Sequence, residues 1–255
     1  MNAPYMPDVS LKGKIRRRLT RLTDRKPLPA FQGRYVSFSF DDFPKSSAIA
    51  GAKALEDQNL RATYYACAGQ MGTSNHFGQL FERKDLLRLS HAGHEIGCHT
   101  KNHIDCAASS LSAVQRDVIE NQEQLSRMGI AASNAFAFPF GDVSFTAKNA
   151  LAGRYATLRG VQPGINCSGS DSNQLHAVPL EGGESDMGYA SSFLDKLRYK
   201  PGWLIFFTHD VRENYSNWGC SPLALQKVIK SAKNANFTIG TVSEVYRKIN
   251  VEAAK

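Results

Sequence analysis

From Tyr35 onward, apolar positions along the chain follow two rhythms. Runs near 35–41, 62–67, 94–99, 134–140, 154–159, 175–180, 202–208 and 236–241 are apolar at alternate residues or throughout, the mark of strands. In the first of them Val36, Phe38 and Phe40 alternate with Ser37, Ser39 and Asp41. Trp203-Leu204-Ile205-Phe206-Phe207, by contrast, is apolar at every position, as in a strand covered on both faces. Helical spacing fills most of the intervals. Ser46 and Ser47 stand where they can cap a helix reaching Leu60. Ser112 with Gln115 resembles a capping box ahead of the stripe Val114, Val118, Leu125 and Met128, with Gly129 as its stop. Ser221-Pro222 is an N-cap followed by proline at the first helical position. Strands alternating with helices imply a parallel sheet, and seven or eight such units in about 220 residues predict a closed α/β barrel.

Composition adds an arm to this barrel. The chain has 255 residues, 42% hydrophobic and 21% charged, and a formal charge of +8. Residues 1–26 hold six of those net charges, so the body is nearly neutral. Leu11, Ile15, Leu19 and Leu22 fall at helical spacing among arginines and lysines. Such a basic amphipathic helix can pack on the body or lie on an anionic membrane surface, which makes residues 11–26 a candidate for peripheral membrane contact. The apolar stripe has no evident use on nucleic acid, and none is expected as a partner. Pro27 and Pro29 separate the arm, taken as 1–30, from a barrel domain at 31–255. No apolar run reaches the roughly 18 residues of a membrane span. The polar opening Met1–Ser10 lacks the apolar core of a signal peptide. The five cysteines are odd in number and lack Cys-x-x-Cys spacing, which points to reduced thiols. The expected location is the cytoplasm, at the inner face of the membrane if the arm binds there.

Chemistry in a barrel of this kind belongs at the C-terminal strand ends. Those ends carry Asp41-Asp42, Cys67, His99, Phe140-Gly141-Asp142, Arg159, Leu180-Glu181 and His209. Two adjacent aspartates at the end of an apolar strand repel and need a cation, a metal or a proton; alone they could equally cap a turn before Pro44. His99 and His103 are four residues apart and can reach one ion, and with Asp42 they make the three protein ligands typical of catalytic zinc. Asp41 is then a carboxylate beside the ion, placed to take a proton from water. His209, at the exit of the most apolar strand, is placed to donate one to a leaving amine.

Ser39-Phe40-Asp41-Asp42-Phe43-Pro44, His99-Thr100-x-x-His103, Phe138-Pro139-Phe140-Gly141 and Phe207-Thr208-His209-Asp210 resemble, in order, four motifs of the polysaccharide deacetylase family (carbohydrate esterase family four, the NodB-homology domain). The resemblance spans roughly residues 33–245. It implies a distorted (β/α)7–8 barrel and removal of an N-acetyl group from an amino sugar. It also implies a divalent metal, zinc before cobalt or manganese, on Asp42, His99 and His103. Carried over by motif, Asp41 is the base, His209 the acid and the Phe140 N–H the oxyanion donor, with Phe43 and Asp142 beside the substrate.

Two departures stand out. Phe43 replaces the glycine that usually follows the two aspartates, and strand parity puts Ala137 where the family carries an arginine that pairs with the base. Arg159, at the end of the next strand, is expected to take over that pairing. The family's aspartate–tryptophan motif, which orients the acid histidine, has no clear counterpart; Asp171, Asp186 and Asp210 are the candidates. Among the remaining residues, His91 and His94 read as structural, His76 and His176 as solvated, Cys98 as a small buried residue and Cys220 as a candidate pocket wall. With no export signal, the expected substrate is a lipid-linked or nucleotide-linked intermediate of cell-surface glycan assembly of the O-antigen type. An N-deformylase of a lipid-linked amino sugar and a non-catalytic glycan-binding barrel are the alternatives.

Overall fold

The computed structural model describes residues 10–254, and of Lys12 the backbone only; most of the polar opening, residues 1–9, lies outside the described residues. In chain order the elements are α1 (Leu11–Leu22), β1 (Arg34–Phe40), α2 (Ala52–Glu56), β2 (Thr63–Ala66), β3 (Ser74–Asn75), β4 (Gly78–Gln79), α3 (Arg83–His91), β5 (Glu95–Cys98) and α4 (Leu111–Arg127). They continue with β6 (Ala135–Ala137), α5 (Phe145–Ala152), β7 (Thr157–Arg159), β8 (Val178–Pro179), α6 (Gly188–Arg198), β9 (Gly202–Thr208), α7 (Pro222–Asn234), β10 (Thr238–Ile239) and α8 (Val242–Ala253). All eight expected strands are present, several shorter than their apolar runs.

The main sheet runs β7-β6-β5-β2-β1-β9-β8, with β10 also on β1, and its paired strands are parallel. β1 is registered along its whole length with β9, from Arg34 on Gly202 to Phe40 on Thr208. Its other side is shared, β10 taking Tyr35 and Val36 and β2 taking Ser39 and Phe40. The stretch 175–179, which ends in β8, meets β7 through Leu175 on Arg159 and then β9 through Val178 on Phe206. It thus joins the two edges of a curled sheet, a distorted (β/α) barrel.

Parity divides the core. Val36, Phe38 and Phe40 face outward into the cluster beneath the helices, while Tyr35, Tyr65, Ala135, Ala137, Trp203, Ile205 and Phe207 fill the interior. The interior is not wholly apolar: Ser37 Oγ accepts from Trp203 Nε1 at 3.0 Å, and Ser39 Oγ donates to the Phe206 carbonyl at 2.9 Å. These bonds allow serines at buried strand positions. A Cβ on Gly97 would sit 2.6 Å from the Tyr65 ring, so the small residue leaves room for that aromatic.

Three local expectations are corrected. The segment after Pro44 opens as a π-helical turn, Ser47–Gly51, before α2, and α2 stops at Glu56. Ser46 is drawn off as acceptor for the Val211 N–H, and Ser47 Oγ donates to the Pro44 carbonyl, so neither caps a helix. α4 is capped by Ser110, which accepts from the Ala113 N–H; Ser112 lies in its first turn. Cys220 is fully buried in the core, not on a pocket wall. The expected cap at Ser221 is present, with Pro222 opening α7. All five cysteines are free.

The arm is stitched to the barrel. Residues 26–28 exchange backbone hydrogen bonds with Gly169, Ser170 and Ser172. Lys148, fully buried, donates from Nζ to the carbonyls of Thr20 and Thr23 and to Asp171 Oδ2, at 2.8–3.0 Å. Those carbonyls end α1, where helical partners run out, and a buried ammonium with three acceptors satisfies them. The apolar stripe points the other way: Leu11, Ile15, Leu19 and Leu22 are 50–75% exposed. Among the described residues no helix is long and apolar enough to cross a membrane.

Candidate active site

β1 ends in Asp41 and Asp42, and the two carboxylates part ways. Asp41 keeps strand parity and enters the barrel mouth. Its N–H donates to the Thr208 carbonyl at 2.9 Å, and Arg159 Nη2 donates to both its carboxylate oxygens at 2.6 Å. Arg159 is fully buried, its guanidinium 5.1 Å from the centroids of both Tyr65 and Phe207, and Nη1 donates to the Gly160 carbonyl. Two aromatic faces and a carboxylate hold the cation in place. Ala137 and Arg159 are register partners on β6 and β7. The cation that the resemblance implies at 137 therefore stands one strand over, about 4.8 Å sideways. Burial alone would raise the Asp41 carboxyl; Arg159, His99 and His209 outweigh it and hold the group below the ordinary range.

Asp42 departs from the strand. It and Phe43 both adopt left-handed backbone, φ 55° and 58°, which turns the Asp42 carboxylate toward His99 and His103. Asp42 Oδ1 lies 3.1 Å from His103 Nε2 and 3.5 Å from His99 Nε2, is buried and makes no hydrogen bond. His99 Nδ1–H donates to the Ala137 carbonyl at 2.8 Å, so its Nε2 lone pair faces Asp42. Burial, then the charge of His103, pushes the His99 imidazole down to about 4, which keeps it neutral. One ligand atom from each of Asp42, His99 and His103 falls within 4.8 Å of the others. Ligands about 2.0–2.1 Å from a tetrahedral ion lie ~3.3 Å apart, close to these separations. An orphaned buried carboxylate oxygen facing two imidazoles is a donor set that fits a divalent cation.

Left-handed backbone is concentrated here. Of eight non-glycine residues with positive φ among the described residues, Asp42, Phe43, Thr100, His103 and Phe140 belong to the site loops. Each costs about 1–2 kcal/mol relative to a relaxed conformation. Gly141, at φ +70°, could not carry a Cβ, which would fall 2.2 Å from Val161. Phe140 packs its ring edge-on to His103, centroids 4.4 Å apart.

His209 continues the inward parity of β9. Its Nδ1 bonds the Trp218 carbonyl at 3.1 Å, and its ring stacks on Phe77 at 4.5 Å. The ring is thus set by a backbone carbonyl and an aromatic face. None of the three candidate aspartates does this directly. Asp171 is paired with Lys148 and Asp186 accepts from the Gly183 N–H. Asp210, fully buried, accepts from Arg212 Nε and from the N–H and Oγ of Ser216, bonds that shape the loop presenting the Trp218 carbonyl.

One of two expected substrate contacts is corrected. Phe43 is fully buried, stacked on Phe81 at 4.5 Å and against Tyr64 at 4.9 Å, so it belongs to the core. Its position needs positive φ, the reason glycine is the usual occupant of the motif. Asp142 accepts from Arg16 Nη2 at 2.7 Å, with Arg17 Nη1 at 3.5 Å; it anchors the arm. His94 is structural, accepting from the Ala62 N–H and bonding Glu56. His76 is exposed yet packs on Phe77, centroids 3.8 Å apart, beside Trp218. The aromatic group of Phe77 and Trp218 around His209 went unrecognised in the sequence. Phe77 sits in a hairpin of two-residue strands, too short for a periodic signal.

The family model described as polysaccharide deacetylase matches residues 29–156. The fold is similar to that of a chitin deacetylase from the fungal pathogen Colletotrichum lindemuthianum, at 19% identity and TM-score 0.58, covering 85% of this chain and 89% of that one. It is also similar to a family 4 acetyl xylan esterase from Clostridium thermocellum solved with a cobalt ion, at 20% identity and TM-score 0.57, covering 84% and 90%. A third is the Xyl-CE4 domain of a multidomain xylanase from the hindgut metagenome of Trinervitermes trinervoides, at 20% identity and TM-score 0.56, covering 85% and 91%. No curated protein sequence matches the chain.

Proposed function

From the premise that this chain belongs to the polysaccharide deacetylase family, a hydrolase, we propose that it is a metal-dependent enzyme removing an N-acetyl group from an amino sugar of cell-surface glycan assembly. The observation that carries the reading is the joint placement of two devices at one mouth. One is the Asp42–His99–His103 donor set; the other is the Asp41–Arg159 pair with His209 across the barrel.

Asp42, His99 and His103 would hold the ion, zinc before cobalt or manganese. When bound, it supplies Lewis acidity to the acyl carbonyl and to the attacking water. Asp41, kept ionised by Arg159, takes the proton from that water. The Phe140 N–H, on its left-handed turn, is the oxyanion donor. His209, with Nδ1–H held by the Trp218 carbonyl, presents Nε2–H to the departing nitrogen and protonates it as the C–N bond breaks. A carboxylate kept ionised beside the donor set favours a catalytic barrel over one that only binds glycan.

The exposed stripe of α1 supports a substrate handled at a membrane surface, that is, a lipid-linked sugar; residues 1–30 act in this reading as a docking arm, on the cytoplasmic face. Release of acetate or formate from N-acylated amino sugars by zinc-loaded protein tests the activity, and the product separates deacetylation from deformylation. Asp41→Asn is expected to abolish release while the metal stays bound. Metal-loaded protein that releases neither acid, or an Asp41→Asn variant as fast as wild type, overturns the reading. Flotation with phosphatidylglycerol vesicles tests the arm: Ile15→Ser with Leu19→Ser is expected to lose vesicle binding.

A further inference from the structure

A cavity borders the candidate metal centre at Phe140 and is otherwise lined by residues outside that centre. A cleft of about 670 Å³ opens between the arm and the barrel, with Arg17, Arg21 and Arg25 on one wall and Gly141, Gln162 and Ser168 on the other. Arg17 and Arg21 are one helical turn apart on α1 and share a face. Arg25 lies just beyond the helix, its Nη2 donating to the Gly169 carbonyl at 2.9 Å. The cleft also holds two carboxylates, both engaged. Asp142 is taken up by Arg16 and Arg17, and Asp171 by the buried Lys148. The cleft gathers more cations than carboxylates; burial, then the charge of Arg17, lowers the Arg21 guanidinium, with Asp142 opposing.

The location gives the cleft a use. Phe140 lines it and also packs on His103, so the cleft adjoins the donor set at that residue. A sugar whose N-acyl group lies at the donor set can extend a second substituent past Phe140 into the cleft. Fork-shaped guanidiniums match phosphate oxygens, with charge-assisted bonds.

We propose that the Arg17–Arg21–Arg25 cleft is a phosphoryl subsite, binding the phosphate or pyrophosphate ester carried by the amino-sugar substrate. This rests on the amino-sugar reading above and assigns the arm a direct part in substrate binding. The arm's two faces then have distinct tasks, with cations toward the sugar phosphate and leucines toward the surroundings. A lipid phosphate and a nucleotide share this headgroup chemistry.

The test uses the full chain with inorganic pyrophosphate as probe, followed by calorimetry at two salt concentrations. Wild type is expected to bind, more weakly at higher salt, and Arg21→Ala to lose about tenfold or more in affinity, the usual effect of deleting one charge-assisted contact. Arg21→Lys is expected to recover part of it. Asp41→Asn, which stops acyl release, is expected to bind pyrophosphate as wild type does, so the subsite and the hydrolytic reading fail separately. Phosphatidylcholine vesicles with or without polyprenyl phosphate, and free uridine diphosphate, distinguish the two sources: Arg21-dependent binding of either supports the subsite. No binding of any probe, or binding equal in wild type, Arg21→Ala and Arg25→Ala, overturns it.

Discussion

Replacing Arg159 with methionine removes the charge while keeping most of the side-chain volume between Tyr65 and Phe207. The Asp41 carboxylate is then buried without its strongest partner. Deleting one member of a buried pair costs about 3–5 kcal/mol, and the cost has a predictable pH dependence. In wild type the folded-state Asp41 is held below its ordinary value, with burial opposing and Arg159 foremost among the groups that lower it. Without Arg159 the burial influence dominates, and the folded-state value rises above the unfolded one. A group raised on folding contributes stability below its unfolded pKa and loses it as pH climbs toward the folded one. The deficit of Arg159→Met is therefore expected to widen by about 1.4 kcal/mol per pH unit above roughly pH 4, until the new folded value is reached. Urea unfolding of metal-free wild type and variant across pH 4–8 measures this without any substrate. Turnover of the loaded variant is expected to fall about 100-fold or more, in line with loss of a general base, with its acid limb moved to higher pH. Since Ala137 and Arg159 are register neighbours, Ala137→Arg with Arg159→Ala is expected to regain much of both losses. A deficit that stays flat with pH, or unchanged turnover, refutes the idea that Arg159 keeps the base ionised. A well-folded double variant as slow as the single one refutes the equivalence of the two positions.

Metal analysis of purified wild type is expected to find close to one divalent ion per chain, with Asp42→Asn or His99→Gln losing at least tenfold in affinity. Metal removal by a chelator is expected to abolish acyl release and its replacement to restore it. Phe43→Gly relieves one left-handed backbone residue but empties a fully buried aromatic position; burial wins, and chemical denaturation is expected to show a net loss of about 2–4 kcal/mol. His99, at about 4 in the fold against roughly 6.5 unfolded, is depressed on folding. Its contribution is present above pH 6.5 and lost as pH falls toward 4, worth about 3 kcal/mol in metal-free protein; His99→Gln is expected to flatten that part of the pH–stability curve.

Much of this architecture could be read from the chain because its strand ends keep parity. Asp41, His99, Arg159 and His209 all continue the inward register of their strands, so counting by two placed them at one mouth, and Arg159 could be paired with Asp41 once the resemblance implied a cation that position 137 lacks. Asp42 reaches its partners by breaking parity through a positive φ, which spacing does not encode but the motif does. Phe43 misled for the same reason: the need for a left-handed residue is a backbone property, and an aromatic side chain there masks it. Ser46 and Ser47 had the composition of caps, yet tertiary partners at Val211 and Pro44 claimed their hydroxyls. The Arg17–Arg21–Arg25 cleft had no signature at all, because its opposite wall comes from residues well over a hundred positions away.

The full-length pairing of β1 with β9 also bears on how the protein is made. The Ser39–Phe206 hydrogen bond joins residues 167 positions apart, and the β1–β9 ladder ends at Thr208, one residue before His209. During synthesis β1 emerges early and must wait for most of the remaining chain before its longest partner exists. Non-local parallel pairing of this kind is slow and leaves strand edges open in the interval. The base on β1 and the acid beyond β9 thus meet only after residue 209 has left the ribosome. A nascent chain arrested before that point carries the whole donor set of Asp42, His99 and His103 but lacks the acid.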